Sequence, residues 1–161
     1  MYHTRTIQAK DNTKIAEIIR KVSREFGLAP ESGFAVSDPI LGRLSVAYDQ
    51  PYAQYLVIEN EWGEIFGGGG LSPLKGDENI VEIQKMYFLP EIRSLGFAKQ
   101  ILNLCVEFAK EKGFKSLYLE TTKELWQAVK LYEKLGFLHL DAPKGNTGHS
   151  HACEIWMLKT L

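Results

Sequence analysis

Cysteine is scarce in this 161-residue chain: Cys105 and Cys153 are the only two, too few for a disulfide framework. No apolar run approaches the ~20 residues that a membrane span requires. The opening stretch MYHTRTIQAKDNTK has no apolar signal-peptide core, so a cytoplasmic protein without a membrane partner is expected. Charge of one sign is lacking as well. Nineteen Lys and Arg stand against 20 Asp and Glu, a net charge of −1, which provides no basic surface for nucleic acid or anionic lipid. There is no GK[ST], which removes a P-loop, and no repeat, low-complexity tract or linker.

What remains is ordinary globular composition, 45% apolar and 24% charged, in a chain long enough for one core and short for two. A single domain over residues 1–161 is expected. His3–Ala9 has short strand character. A helix capped at Asp11 or Asn12 follows, with Ile15, Ile18, Ile19, Val22 and Phe26 at the 3.6 period, and ends at Gly27. The segment Leu28–Asp49, broken by Pro30, Gly33, Pro39 and Gly42, reads as irregular with one short helix around Pro39–Tyr48. AQYLVIENE, WGEIFGGGGLSPL and NIVEIQKMYF read as three strands, the first two a hairpin. The helix GFAKQILNLCVEFAKEK stops at Gly113. The strand KSLYLET, the helix KELWQAVKLYEKLG and the strands FLHL and ACEIWMLKTL complete the chain. Leu125, Ala128, Val129, Tyr132 and Leu135 form the inner stripe of that last helix. The fold class is α/β or α+β, a mixed central sheet with helices on both faces.

Three stretches are candidates for chemistry. The run Gly67–Gly70 fails as a dinucleotide loop, because Ser72 and Pro73 stand where GxGxxG needs its last glycine and no helix opens there. It reads instead as a strand that another group approaches closely. His149, His151 and Cys153 alternate, so on a strand they would share one side as metal ligands could. A fourth ligand is not evident, and loop histidines making ordinary hydrogen bonds beside a buried cysteine are the favoured account; no metal is expected. The third stretch is LPEIRSLGFAKQIL. A strand stops at Pro90 and a helix starts within a few residues, leaving the first helical amides without partners at the positive end of the helix dipole. Gly96 has no Cβ and Ala98 little side chain, so a bulky anion can lie on the amides of Leu95, Gly96, Phe97, Ala98 and Lys99. Arg93 and Lys99 can add full charges. A diphosphate fits this description.

Arg93-x-x-Gly96-x-Ala98 after a Pro-terminated strand resembles the (Gln/Arg)-x-x-Gly-x-(Gly/Ala) loop of the GNAT acetyltransferases. LYEKLGF, Leu131–Phe137, resembles the second signature of that family, and the element order matches over nearly the whole chain. VEIQKMYFLPEIRSLGFA and LDAPKGNTGH resemble a bacterial subgroup whose substrates are mostly unassigned. The resemblance implies a GNAT fold and an enzyme using acetyl-CoA as co-substrate. The cofactor would lie where Ile80–Phe88 and Lys115–Glu120 splay apart. Its pyrophosphate would lie on Leu95–Lys99, with Arg93 and Ser94 in the same loop, and its pantetheine along the backbone of Met86, Tyr87 and Phe88. An amine would attack the thioester directly. Two family features are absent: Ser94-Leu95 replace the common Gly-Lys, and Leu125 stands where many members carry Asn. A homodimer is common in the family.

Deprotonating an alkyl ammonium at pH 7 costs about 4–5 kcal/mol, so a base is needed. Glu82 holds the position of the general-base glutamate of some members, and on an unbroken strand it shares a face with Gln84, Met86 and Phe88. His149 or a water chain are the other candidates. Tyr132 matches the family's acid tyrosine, which would protonate or position the CoA thiolate. Cys105 and Cys153 do not read as nucleophiles. A module of the same fold that binds acyl-CoA without turnover is the alternative, favoured if Glu82 points away from the thioester. The acceptor, an amine of a small molecule or peptide, would be chosen by Leu28–Asp49 and by Asp141–His151. Tyr48, Tyr52 and Trp62 could line its pocket.

Overall fold

Alternating apolar residues in the strands and 3.6-period stripes in the helices can be buried together only if helices cover both faces of one sheet. The structure, a computed structural model, describes residues 1–28, 36 and 38–161. Pro30 and Gly33, which were expected to break the segment after the first helix, lie outside the described residues. Among those described, seven strands form one sheet: β1 (Tyr2–Thr6), β2 (Gln54–Asn60), β3 (Ile65–Leu74), β4 (Asp77–Phe88), β5 (Ser116–Thr121), β6 (Leu138–His139) and β7 (Ile155–Thr160). Their order is β1-β2-β3-β4-β5-β7-β6. The β4–β5 pair is parallel, and every other neighbouring pair is antiparallel.

Helix α1 (Asn12–Glu25) buries Ile15, Ile18, Ile19 and Val22, each contributing about 1.5–3 kcal/mol. With α2 (Leu44–Ala47) it covers one face, over Tyr48, Tyr55, Val57 and Tyr87. Helices α3 (Phe97–Glu111) and α4 (Trp126–Lys134) cover the other, over Val81, Ile83, Leu117 and Leu119. The expected last helix is shorter than its sequence stripe. Lys123–Leu125 is a 3-10 turn, so Leu125 precedes α4 and is only half-buried. No described helix is long and apolar enough to cross a membrane.

Gly67–Gly70 lie inside β3, and the close-approaching group is the sheet itself. A Cβ on Gly68 would come within 2.5 Å of the Leu56 carbonyl oxygen and 2.7 Å of the Tyr55 ring. On Gly67 it would come within 2.6 Å of the Tyr87 carbonyl oxygen. Opposite this run, β4 is irregular. Its register against β3 slips between Gly68 and Gly70, and Lys85 adopts a left-handed conformation, φ +50°. Such a bulge inserts one residue and reverses which face the following side chains take. The Tyr55 hydroxyl donates to the Lys85 carbonyl at 2.7 Å, and Lys85 Nζ pairs with Asp38 at 2.9 Å.

Candidate active site

The β4–β5 ladder runs only from Ile80–Ser116 to Glu82–Tyr118. Beyond that rung both strands continue without pairing to each other, β4 to Phe88 and β5 to Thr121. Met86, Tyr87 and Phe88 therefore present strand backbone to a gap, except that the Phe88 carbonyl already accepts from Arg93 Nε at 3.0 Å. The gap opens into a cavity of about 600 Å³. Glu82, Gln84, Met86, Glu120, Tyr132 and His149 are among the residues that line it.

The bulge corrects one expectation. Glu82 shares its face with Gln84 but not with Met86 and Phe88. Val81 and Ile83 pack under α3, and after Lys85 that side is taken by Met86 and Phe88, while Tyr87 turns to the α1 side. Glu82 is also no surface residue: it is 3% exposed. Its Oε1 accepts from Gln84 Nε2 at 2.7 Å, and Gln84 Oε1 accepts from the Tyr48 hydroxyl at 2.6 Å. Glu82 Oε2 lies 3.2 Å from His149 Nε2.

Glu120, which the sequence reading took only as part of a strand, is the hub of the site. It accepts hydrogen bonds from Tyr118, Thr147 and Ser150, each at 2.6 Å, and its Oε1 lies 3.0 Å from His149 Nδ1. Burial alone would raise the pKa of Glu120, but these four donors outweigh it and hold the carboxyl down at about 2. Burial would likewise lower His149. Hydrogen bonding to Cys153, Glu120 and Glu82 overrides this and pushes the ring up to about 11. Both ring nitrogens thus face carboxyl oxygens, an arrangement in which two ring N–H groups can each donate to an ionised carboxylate. A ring that donates from both nitrogens has no lone pair with which to take a proton.

The loop that carries His149 is pinned twice. Asn146 N donates to the Lys75 carbonyl at 2.7 Å, where Gly145 is left-handed and a Cβ would come within 2.4 Å of the same oxygen. The second pin is Glu120. Strand β7 begins only at Ile155, so His149, His151 and Cys153 stand in the loop before it and do not share the strand face that their alternation suggested. His151 is exposed. Among the described residues, Glu120, His149 and Cys153 are the set that could hold a metal, their ligand atoms lying within 4.8 Å of one another. A cation there would have to displace a ring proton and compete for a carboxylate that already accepts four hydrogen bonds. The donors fit protons better than a metal.

Tyr132 is on α4, 7% exposed, with its phenol in the cavity wall. Burial, and then its neighbour Tyr87, push it well above the usual tyrosine value, so it stays a donor. Leu125 and Cys153 line the same cavity. Tyr48 belongs to the wall, whereas Tyr52 is half-exposed and meets Phe114 edge-on, and Trp62 is 75% exposed.

At the start of α3 the backbone takes two left-handed steps, Ser94 (φ +64°) and Gly96 (φ +91°). Gly96 is the N-cap, and the first intrahelical bond runs from Gln100 N to Gly96 O at 3.0 Å. The amides of Phe97, Ala98 and Lys99 precede it and point out of the helix end. Nothing lies within 4 Å of a Cβ built on Gly96, so this face is open, as an anion would need. Leu95 is 57% exposed. Arg93 departs from expectation. Its guanidinium is held by Glu25 at 2.6 and 2.8 Å and lies over the Phe26 ring, turned toward α1.

Comparison with known proteins shows the family and the fold. A family model described as the Acetyltransferase (GNAT) family matches residues 18–137. The Escherichia coli (strain K12) protein named Uncharacterized N-acetyltransferase YjgM is 50% identical over 158 residues, 98% of this chain and 93% of that protein. A GNAT-family acetyltransferase from Staphylococcus aureus Mu50 superposes with a TM-score of 0.82 at 20% identity, covering 100% of this chain and 99% of that one. A phosphinothricin acetyltransferase from Sinorhizobium meliloti, solved in complex with acetyl-CoA, superposes with a TM-score of 0.76 at 22% identity, covering 99% and 88%.

Proposed function

Since the chain belongs to the acetyltransferase (GNAT) family, we propose that it transfers acetyl from acetyl-CoA to an amine of a small molecule or peptide, by direct attack within a ternary complex. The observation that carries this reading is the placing of Glu82 and Tyr132 on the walls of one cavity, at the point where β4 and β5 part. The pyrophosphate lies on the free amides at the start of α3, and the pantetheine lies along Met86–Phe88. Leu95 and Leu125 add no polar contact. Arg93 acts by fixing the loop to α1 rather than by touching phosphate.

The amine nitrogen attacks the thioester carbonyl and the carbon–sulfur bond breaks. Glu82, directly or through a water, takes the amine proton. The Tyr132 hydroxyl donates to the departing thiolate, whose pKa near 8.5 needs only a weak acid, and is reprotonated by the second proton that the nitrogen sheds as the amide forms. Glu82 faces the cavity, which supports turnover over a module that only binds acyl-CoA.

The test is release of free CoA thiol from acetyl-CoA across a panel of amines. Tyr132→Phe and Glu82→Gln should each lower turnover, by roughly 10²-fold or more, while acetyl-CoA still binds. Binding with no release on any amine would leave the non-catalytic module standing in place of the enzyme.

A further inference from the structure

The Glu82–His149–Glu120 chain is more than a lining of the cavity. Two buried carboxylates on adjacent strands, their side chains 5% and 0% exposed, are bridged by one ring at 3.2 and 3.0 Å. The side-chain donors nearest the ring converge on the two carboxylates. Tyr118, Thr147 and Ser150 donate to Glu120, and Gln84, itself oriented by Tyr48, donates to Glu82. Only the ring donates to both. Counting Glu82 and Glu120 as −1 each and the imidazolium as +1, the cluster retains a single negative charge. Glu120 has all its acceptor sites taken, so that charge is available at Glu82.

We propose that His149 is a positioning residue, a fixed imidazolium that ties the 141–154 loop to the splayed strands and holds Glu82 as an aimed carboxylate in the cavity. Without the cation, two carboxylates would face each other in a poorly solvated site, and one of them would take up a proton near neutral pH. The acceptor then enters as its ammonium, balances the remaining negative charge, and gives its proton to Glu82. This rests on the acetyl-transfer reading for its kinetic consequence, but the charge state of His149 does not. The groups facing the ring are Glu82 from β4, Glu120 from β5 and Cys153 from its own loop, Sγ 3.7 Å from Nδ1. The Tyr118 and Tyr48 hydroxyls lie one hydrogen bond further out.

Nitrogen-15 NMR of the wild-type imidazole at pH 8 tests the charge directly, with no variant that has to fold. Two protonated nitrogens are expected at His149, and a neutral ring would overturn the proposal. Glu82 is then followed by carbon-13 NMR of its carboxyl in His149→Gln and His149→Lys. The neutral variant should carry more of that carboxyl in its protonated form at a given pH, and the variant that restores a cation should bring it back toward wild type. The acidic limb of kcat/KM should move in parallel. An unchanged carboxyl titration in folded His149→Gln, with the rate merely scaled down at every pH, would reduce His149 to a structural tie and overturn the positioning role. If no amine is acetylated, the two NMR readouts still decide the inference, and only the enzyme reading falls.

Discussion

Arg93 holds Glu25 through both terminal nitrogens, at 2.6 and 2.8 Å, while its Nε donates to the Phe88 carbonyl at 3.0 Å. One side chain thus joins the end of α1, the end of β4 and the loop that opens α3. The carboxyl of Glu25 is held below its ordinary value chiefly by that hydrogen bonding.

If Arg93 serves the loop in this way, Glu25→Ala should weaken acetyl-CoA binding without touching the ligand. A half-exposed ion pair is worth up to about 1 kcal/mol, or roughly fivefold in affinity. Calorimetric titration of Glu25→Ala and Arg93→Ala with acetyl-CoA separates the possibilities. Similar, modest losses in both are expected. A large loss in Arg93→Ala with none in Glu25→Ala would mean that the guanidinium leaves Glu25 for a phosphate.

The glycines of β3 make the opposite kind of prediction. Gly68→Ala forces a methyl against the Leu56 carbonyl and the Tyr55 ring, and overpacking of this type costs about 1–3 kcal/mol. Urea unfolding should show that loss of stability, while the folded protein binds acetyl-CoA with unchanged affinity. A selective loss of affinity would return the glycine run to the cofactor site.

Much of this fold is legible in the sequence because its signals are local. The stripe Ile15, Ile18, Ile19 and Val22 dictates α1, and Pro90 followed by Gly96 marks the turn into α3. The face of Met86 and Phe88 was not legible, since strand alternation assumes an unbroken ladder and nothing about Lys85 announces a left-handed residue. Its conformation follows from Tyr55 and Asp38, which are distant in sequence. Glu120 was missed for a similar reason. Within SLYLE it is simply a polar residue alternating with leucines, and its meaning depends on a loop about thirty residues later folding back onto it. A charge at the end of a strand otherwise buried on both faces was the available signal.

The same network fixes a pH dependence of stability. His149 is raised from 6.5 to about 11, so its contribution is complete below pH 6.5 and is lost as pH climbs toward 11. Glu120 is lowered from 4.5 to about 2, so its contribution is complete above pH 4.5 and is lost as pH falls toward 2. The stability difference between wild type and His149→Gln, measured by urea unfolding, should therefore be larger at pH 6 than at pH 10. An equal difference at both would contradict the imidazolium.

Thermal unfolding with acetyl-CoA tests most directly whether an acyl-CoA diphosphate rests on the α3 amides beside Gly96. At 100 times its dissociation constant the ligand should add about 2.7 kcal/mol, a rise of roughly 5–10 °C in midpoint for a domain of this size, with no comparable rise from NAD or ATP. In Gly96→Ala, where φ +91° strains the alanine and its methyl fills the open face, the rise should be largely lost. An equal rise in both proteins would move the diphosphate elsewhere, and no rise in folded wild type would contradict the account.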